Sequence, residues 1–361
     1  MIVSKIFAAI AFAAALAFLA AACASDPGGE GGSPRPEWTL AAGHPRYDSA
    51  AYLTAVGAGG NRRSAEADAL TQLASIFAVN INHSFRETAE HSEFASGDAS
   101  ISVHRQTLSI DLATSTSRES LAGARIGGAW SDGRGGHYAL AVLCKATAGQ
   151  VYSERVRANQ ETISALTAGL AAAERRNTLE GFFRYMRAAE LADLNVIHGE
   201  VLAAVGDLRR DLANGEDFRI RAREIAWAIP PIGIAASGDS GRRIQDAFAG
   251  VFSSLGLRTA SGAAASGAAA SMATGARYAL EVRVGTRSDA ADPRGRVFSD
   301  VAVSAILFDA GARAELSHFS FASRNGDWTQ QGAEGLAFRD AERRIAREYR
   351  AHLSSFLTPG R

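Results

Sequence analysis

Apolar positions recur along this chain with two periods, and the switches between those periods divide it. Tyr52, Leu53, Ala55 and Val56 form a run of aromatic, small and β-branched side chains that predicts a short strand. Gly57, Gly59 and Gly60 follow, where the chain is expected to turn sharply. From about Ser64 to Val79 the spacing predicts a helix burying Ala67, Leu70, Leu73, Ala74 and Phe77. Asn61 or Ser64 is placed to cap its first amides, and Glu66 suits the helix dipole. Ile101 to about Ser115 alternates weakly as a further strand. Ala124 to Ser131 and His137 to Cys144 flank the loop Asp132-Gly-Arg-Gly-Gly136, which is a hairpin signal. On the second of these, Tyr138, Leu140, Val142 and Cys144 share one face, and Trp38 is expected to seat a preceding segment on the core.

The helical period takes over from about Ala146 to Asn214. Val151, Val156, Ile163, Leu166 and Leu170 approximate one stripe, and Asn177 with Glu180 reads as a capping-box restart. Phe182, Phe183, Tyr185, Met186 and Leu191 make the next segment heavily apolar. A further helix is expected from about Val196, ending near Gly215 as a left-handed cap. This stretch reads as a helical hairpin, with a groove resembling one tetratricopeptide unit as the sharper alternative. Beyond it, Arg219 to Ile234 suggests one or two strands broken by Pro230-Pro231. A helix from Arg242 to Leu255 should bury Ile244, Phe248, Val251 and Phe252. After an Ala/Gly/Ser tract from Ser261 to Gly275, three strands are expected: Arg277 to Gly285, Val297 to Phe308 and Ala314 to Ser323. A closing helix from about Gln331 to Phe356 places Leu336, Ala337, Ala341, Ile345, Tyr349 and Leu353 on one stripe. Arg339, Glu342, Arg343 and Arg347 form its solvated face.

The N-terminus changes the picture from fold to address. Lys5 precedes an unbroken apolar run from Ile6 to Ala22, and then Cys23, which is the layout of a secretory signal. Leu19-Ala20-Ala21-Ala22-Cys23 resembles a bacterial lipobox, in which the cysteine becomes the lipid-bearing first residue. The match departs where Ala20 stands for the usual leucine. The alternatives are an ordinary cut near Ala22 or Ala24, and an uncleaved anchor. The Gly/Pro/Ser-rich stretch after Cys23 reads as a flexible tether. By resemblance to enteric sorting patterns, Ala24 at the next position permits outer-membrane transport. A formal net charge of zero, with no basic block interleaved with aromatics, argues against a nucleic-acid partner.

The expected organisation is α+β. A signal peptide (1–22) and tether (23–36) precede a strand–helix–antiparallel meander domain (37–146) and a helical hairpin (147–215). A second α/β unit with an antiparallel sheet and a C-terminal helix (216–361) completes the chain.

The Gly57-to-Arg62 turn sits where a dinucleotide fingerprint would, but Arg62 occupies the place of its third glycine. A tight turn explains it. His83, His91 and His104 lie near one another without metal-ligand spacing, so no metal site is expected. Ser237-Gly-Asp-Ser240-Gly has the look of a protease nucleophile motif, yet Ser240 as a helix N-cap is simpler. Glu66 and Asp68 are not placed to share a proton. Cys144 reads as a small buried strand residue rather than a nucleophile. No catalytic, cofactor-binding or metal residue is nominated, and the one modified residue expected is Cys23.

Pro36-Glu-Trp38, Tyr52-Leu-Thr-Ala-Val-Gly57 and Ala65-Glu-Ala-Asp-Ala-Leu70 together resemble the LPP-twenty lipoproteins of bacterial membranes. The same unit is similar to the N-terminal domain of flagellar assembly protein T. The resemblance covers about Pro36 to Lys145. The final unit is similar in layout to the α/β domains of periplasmic assembly lipoproteins, including the curli secretion channel component. The resemblance implies a membrane-attached, non-enzymatic protein and supplies no catalytic residues. The expected role is an outer-membrane lipoprotein, palmitate-bearing at Cys23 and facing the periplasm or the surface, that binds other envelope proteins. The alternatives are a peptidoglycan-binding module or activator of a cell-wall enzyme, and a hydrolase with an unfamiliar site.

Overall fold

The computed structural model describes residues 34–40, 44–77, 121–170, 177–206, 212–238, 240–261 and 276–357. The lipobox, the tether, the strand expected over Ile101 to Ser115, the histidines 83, 91 and 104, and most of the Ala/Gly/Ser tract lie outside the described residues. The described chain divides into two compact units, residues 1–157 with 195–212, and 158–194 with 213–361. No helix among the described residues is long and apolar enough to cross a membrane.

Among its described residues the first unit holds a three-stranded antiparallel sheet backed by helices. It holds β1 (Tyr52–Gly59), β2 (Ala124–Ser131) and β3 (His137–Cys144), with β3 in the centre. The hairpin strands fall where the Asp132–Gly136 turn signal places them. Asp132 closes their turn by accepting from the amides of Arg134 and Gly136, both at 2.8 Å. Those two bonds hold its carboxyl below the usual range.

Helix α1 (residues 62–77) follows β1 directly. Of the two proposed caps, Asn61 makes the bond, its side chain accepting from the Ser64 amide at 2.9 Å. Ser64 Oγ accepts in return from the Asn61 amide at 3.2 Å, so Ser64 serves as the reciprocal partner of a capping box. The buried stripe is Ala65, Ala69, Leu73, Ala74 and Phe77. Ala67 is exposed, one residue off the predicted face.

One face of the sheet carries Ala55, Ala139, Ala141 and Leu143 and packs on α1. The same core takes Ala148, Tyr152 and Val156 from helix α2 (Lys145–Thr167), and Ile197, Val201 and Leu202 from helix α3 (Leu179–Ala204). The opposite face presents Leu140 and Val142 to Trp38 and Tyr47.

α3 corrects the sequence reading twice. It runs unbroken through Val196, and Gly215 is not its left-handed cap. Gly206 has the positive φ of 88° after α3, whereas Gly215 opens the next helix behind the N-cap Asn214. The start of α3 is capped by Thr178, whose hydroxyl accepts from the Gly181 amide at 2.9 Å, not by Asn177.

In the second unit, helix α4 (Gly215–Ala228) stands where strands were expected. The unit also forms a five-stranded sheet of order β5-β4-β6-β7-β8. The strands are β4 (Ile232–Gly238), β5 (Thr259–Ser261), β6 (Tyr278–Ser288), β7 (Val297–Asp309) and β8 (Ala314–Asp327). β4 pairs in parallel with β5 and β6, and β6-β7-β8 is the expected antiparallel meander. Helix α5 (Gly241–Ser254) follows β4 and buries Ile244, Phe248, Val251 and Phe252, as predicted.

The closing helix is α6 (Gln330–Arg344), a π-turn (Ile345–Tyr349) and α7 (Arg350–Leu357). Its buried residues Ala337, Ala341, Ile345, Tyr349 and Leu353 recur every fourth position. In a straight α-helix that spacing drifts by about 40° per step, and the wider π-turn takes the drift back. Val282, Val284, Val301, Val303, Ala305 and Leu307 meet Phe248, Phe252, Phe338 and Tyr349 in one core. The intervening strand residues Arg283, Gly285, Ala302 and Ser320 are exposed.

Candidate functional site

The feature of the first unit that goes beyond packing a sheet on helices is the N-terminal segment laid across its second face. Pro36 opens a single 3-10 turn, Glu37–Thr39, that swings Trp38 inward. Thr39 Oγ1 donates to the Pro36 carbonyl at 2.7 Å and accepts from Arg35 Nε at 2.9 Å, which fixes the turn. Tyr47 follows a bridge to His44. Both aromatics are buried, and both sit over β2 where its register slips between Ile126 and Gly128.

That bulge is built of glycine for a steric reason. A β-carbon on Gly127 would lie 2.8 Å from the Tyr47 ring and 2.8 Å from Val142. One on Gly128 would lie 3.7 Å from Trp38. The Tyr47 hydroxyl donates to the Gly127 carbonyl at 3.3 Å. Arg125 stands 5.7 Å over the Tyr47 ring and Arg35 stands 5.1 Å over Tyr138. Tyr52, Trp130 and Tyr138 complete a wall of half-buried rings. Burial and the Arg46 charge lower the pKa of His44 at the rim. Tyr47 meets Tyr52 edge-on with ring centroids 5.2 Å apart, and Trp130 meets Tyr138 at 5.6 Å.

The glycine-rich stretch after β1 is not a phosphate cradle, and two of its glycines are not turn residues. Gly57 and Gly59 belong to β1 itself. A β-carbon on Gly57 would lie 2.0 Å from the Ala69 nitrogen, and one on Gly59 2.1 Å from Ser64 Oγ. These glycines let α1 lie on the strand. The neighbouring acids are engaged too: Asp68 accepts from the Ala58 amide at 2.9 Å, and Glu66 pairs with Arg62 at 2.8 Å.

The other candidates separate in space. Ser240 does occupy the N-cap position of α5, but with φ of 54° and no capping side-chain bond. Gly238 before it, at φ 93°, leaves room for the Val284 carbonyl, which a β-carbon would approach to 1.9 Å. Cys144 ends β3 opposite Tyr52, half-buried, and is in no disulfide among the described residues. Among the described residues no three His, Cys, Asp or Glu side chains gather as a metal site. Ser304 and His318 meet at 3.1 Å on the exposed face of the second sheet. Among the described residues no carboxylate orients His318, so the pair lacks the third member of a hydrolytic triad.

Two charged features escaped the sequence reading. His198 on α3 packs tilted against Tyr152 with ring centroids 5.4 Å apart, and burial, then Arg155, lowers its pKa to about 4. In the second unit, Asp193 pairs with Arg219, and Glu216 takes Arg223 at 2.7 Å and Arg219 at 3.6 Å. All three acid–base contacts join positions far apart in sequence or spaced too generally to stand out. Their only early signal was the acid–base alternation through 216–224.

The first unit is thus a small α+β domain: a sheet backed by helices and strapped by aromatics. Residues 36–144 match the LPP20 lipoprotein family. No curated protein matches the chain. Among solved structures, the secreted protein HP1454 of Helicobacter pylori aligns over 84% of this chain and 97% of its own, at 12% identity and a TM-score of 0.36. PelC of Paraburkholderia phytofirmans, solved as a dodecamer, covers 33% of this chain and 87% of its own, at 18% identity and a TM-score of 0.24. A minor lipoprotein of Acinetobacter baumannii covers 35% and 90%, at 9% identity and a TM-score of 0.24. Likeness at this level assigns no property to this chain.

Proposed function

We propose that this chain is a lipid-anchored protein of the bacterial cell envelope, held at the outer membrane by acyl chains on Cys23. It works by binding other envelope proteins rather than by catalysis. The observation that carries this reading is the LPP20 lipoprotein match over 36–144, which begins thirteen residues after the lipobox-like Cys23. Several buried acyl chains, at ~0.8 kcal/mol per methylene, would make the attachment durable. Metabolic palmitate labelling tests the anchor. Label and membrane partitioning should both disappear in Cys23→Ala, and a variant that keeps them would sink the claim. Crosslinking in the native envelope, followed by identification of the captured proteins, tests the binding role. Recovery of uncrosslinked monomer alone would count against it.

A further inference from the structure

Helix α4 carries apolar side chains on two opposite faces. Ala222, Ile225 and Ala226 point inward and are buried in the core of the second unit. On the far side Ile220 is 40% exposed and Trp227 is 76% exposed. These are two of the five large apolar side chains that stand exposed among the described residues. Seven residues turn an α-helix to within ~20° of two full turns, so both side chains point the same way, ~10.5 Å apart along the axis. Trp227 is also held in place. Arg258 Nη2 donates to the carbonyls of Trp227 at 3.1 Å and Ile229 at 2.9 Å, which caps the last turn of α4. Its guanidinium stands 5.9 Å from the centre of the Trp227 ring. An exposed indole fixed in this way loses little freedom on contact, and Trp beside Arg is the composition of a binding hot spot.

Between Ile220 and Trp227, on the same face, lie Arg223 and Glu224. Arg223 pairs with Glu216 at 2.7 Å, and Glu224 with Arg221 at 3.1 Å. The order along the face is apolar, basic, acidic, apolar, and it is its own complement when reversed. A two-fold axis midway between 223 and 224 sets Ile220 of one copy against Trp227 of a second, and Arg223 against Glu224, each contact made twice. A parallel pair would instead set arginine on arginine and glutamate on glutamate.

We propose that the outward face of α4 is where two copies of this chain meet, antiparallel, at the membrane surface. The proposal deepens the reading of the chain as a lipid-anchored binder and rests on it for where the contact forms. Two turns of helix offer less than the ~800 Å² per partner of a stable interface, so the contact is weak in free solution. Copies anchored on one membrane meet at a far higher effective concentration, and there a weak contact suffices.

Lys145 is the sole lysine after Cys23, so amine-reactive dyes label one side chain per mature chain. The full lipidated protein is set in phosphatidylethanolamine–phosphatidylglycerol vesicles, donor-labelled and acceptor-labelled copies together, and energy transfer between them is read. Ile220→Arg and Trp227→Glu each replace an exposed side chain and leave the core untouched. Each alone sets a charge against an apolar side chain, and transfer above the level of random proximity should fall roughly fivefold or more. Mixing donor-labelled Ile220→Arg with acceptor-labelled Trp227→Glu sets the two new charges against each other. Transfer should then return to about half or more of that between unaltered copies. Loss in both variants without recovery in the mixture overturns the two-fold pairing and leaves the face to a different protein. Transfer that neither variant lowers, or that never exceeds random proximity in the unaltered chain, overturns α4 as the contact. Vesicle flotation and sedimentation equilibrium keep the two readings apart. A chain that fails to float overturns the lipid anchor, and pairing is then read by sedimentation of the free chain. There the same loss and recovery sustains the α4 contact, and a monomer at every concentration overturns it.

Discussion

Gly57 lies so close to Ala69 that a β-carbon on the glycine would stand 2.0 Å from the Ala69 nitrogen and 2.6 Å from the Ala65 carbonyl oxygen. Strand β1 and helix α1 meet here backbone to backbone, and no side chain stands between them to give way. Gly57→Ala should therefore cost about 3 kcal/mol or more, the upper end of overpacking penalties, because the helix itself must move. Gly60, at the true turn, has open space around its α-carbon. Gly60→Ala should be neutral or add up to about 1 kcal/mol by restricting the unfolded chain. Urea unfolding of the two variants side by side gives the comparison; equal midpoints would refute the close-approach explanation.

His198 should make stability pH-dependent in a defined window. Its pKa is lowered from 6.5 to about 4 by burial and by the nearby Arg155, so the folded state holds it neutral. Between these values the unfolded chain binds the proton and the folded one does not. Stability is then fully present above about pH 6.5 and is lost as pH falls towards 4. The shift corresponds to about 3 kcal/mol at most. His198→Phe, which keeps the ring against Tyr152, should flatten this part of the urea-midpoint profile. A slope unchanged by the substitution would place its origin elsewhere.

The Asp193–Arg219 pair is nearly buried, with side chains 9% and 17% exposed. Asp193→Ala should cost about 3 kcal/mol, because it strips a buried guanidinium of its main acceptor and leaves only the longer contact to Glu216. Asp193→Ala combined with Arg219→Met should recover part of that loss, since no unpaired charge then remains. A double variant less stable than the single one would contradict this account.

Ser240 adopts a left-handed φ of 54° with no capping bond from its side chain. Ser240→Gly should therefore stabilise the second unit by about 1 kcal/mol, relieving the clash that an L residue meets in that region. Thermal unfolding measures it. A loss of stability would mean that the hydroxyl contributes more than the backbone conformation costs.

Local patterns carried far in this chain. The turn chemistry at Asp132–Gly136 was enough to place the two strands that flank it, Ala124–Ser131 and His137–Cys144. The apolar stripe of α5 named all four of its buried large residues, because it has one strong period and one face. Elsewhere two periods competed. Residues 219–229 alternate polar and apolar like a strand, yet Ala222, Ile225, Ala226 and Ile229 also share a helical face, and those are the ones buried in the core. The glycines show the same limit. A glycine reads as a turn because its freedom of φ is a local property, whereas Gly57 and Gly127 are needed for what lies across from them.

By itself, the sequence determined the strands of both meanders, the amphipathic helices and the family likeness at the first unit. Each of these depends on neighbours within a turn or two of chain. Only the tertiary structure decided that Gly57 is an approach site, that residues 215–228 are helix, that Asp193 finds Arg219, and that Trp38 and Tyr47 lock into a glycine seat. Those depend on distances between segments remote in sequence, and such distances exist only once the cores have formed.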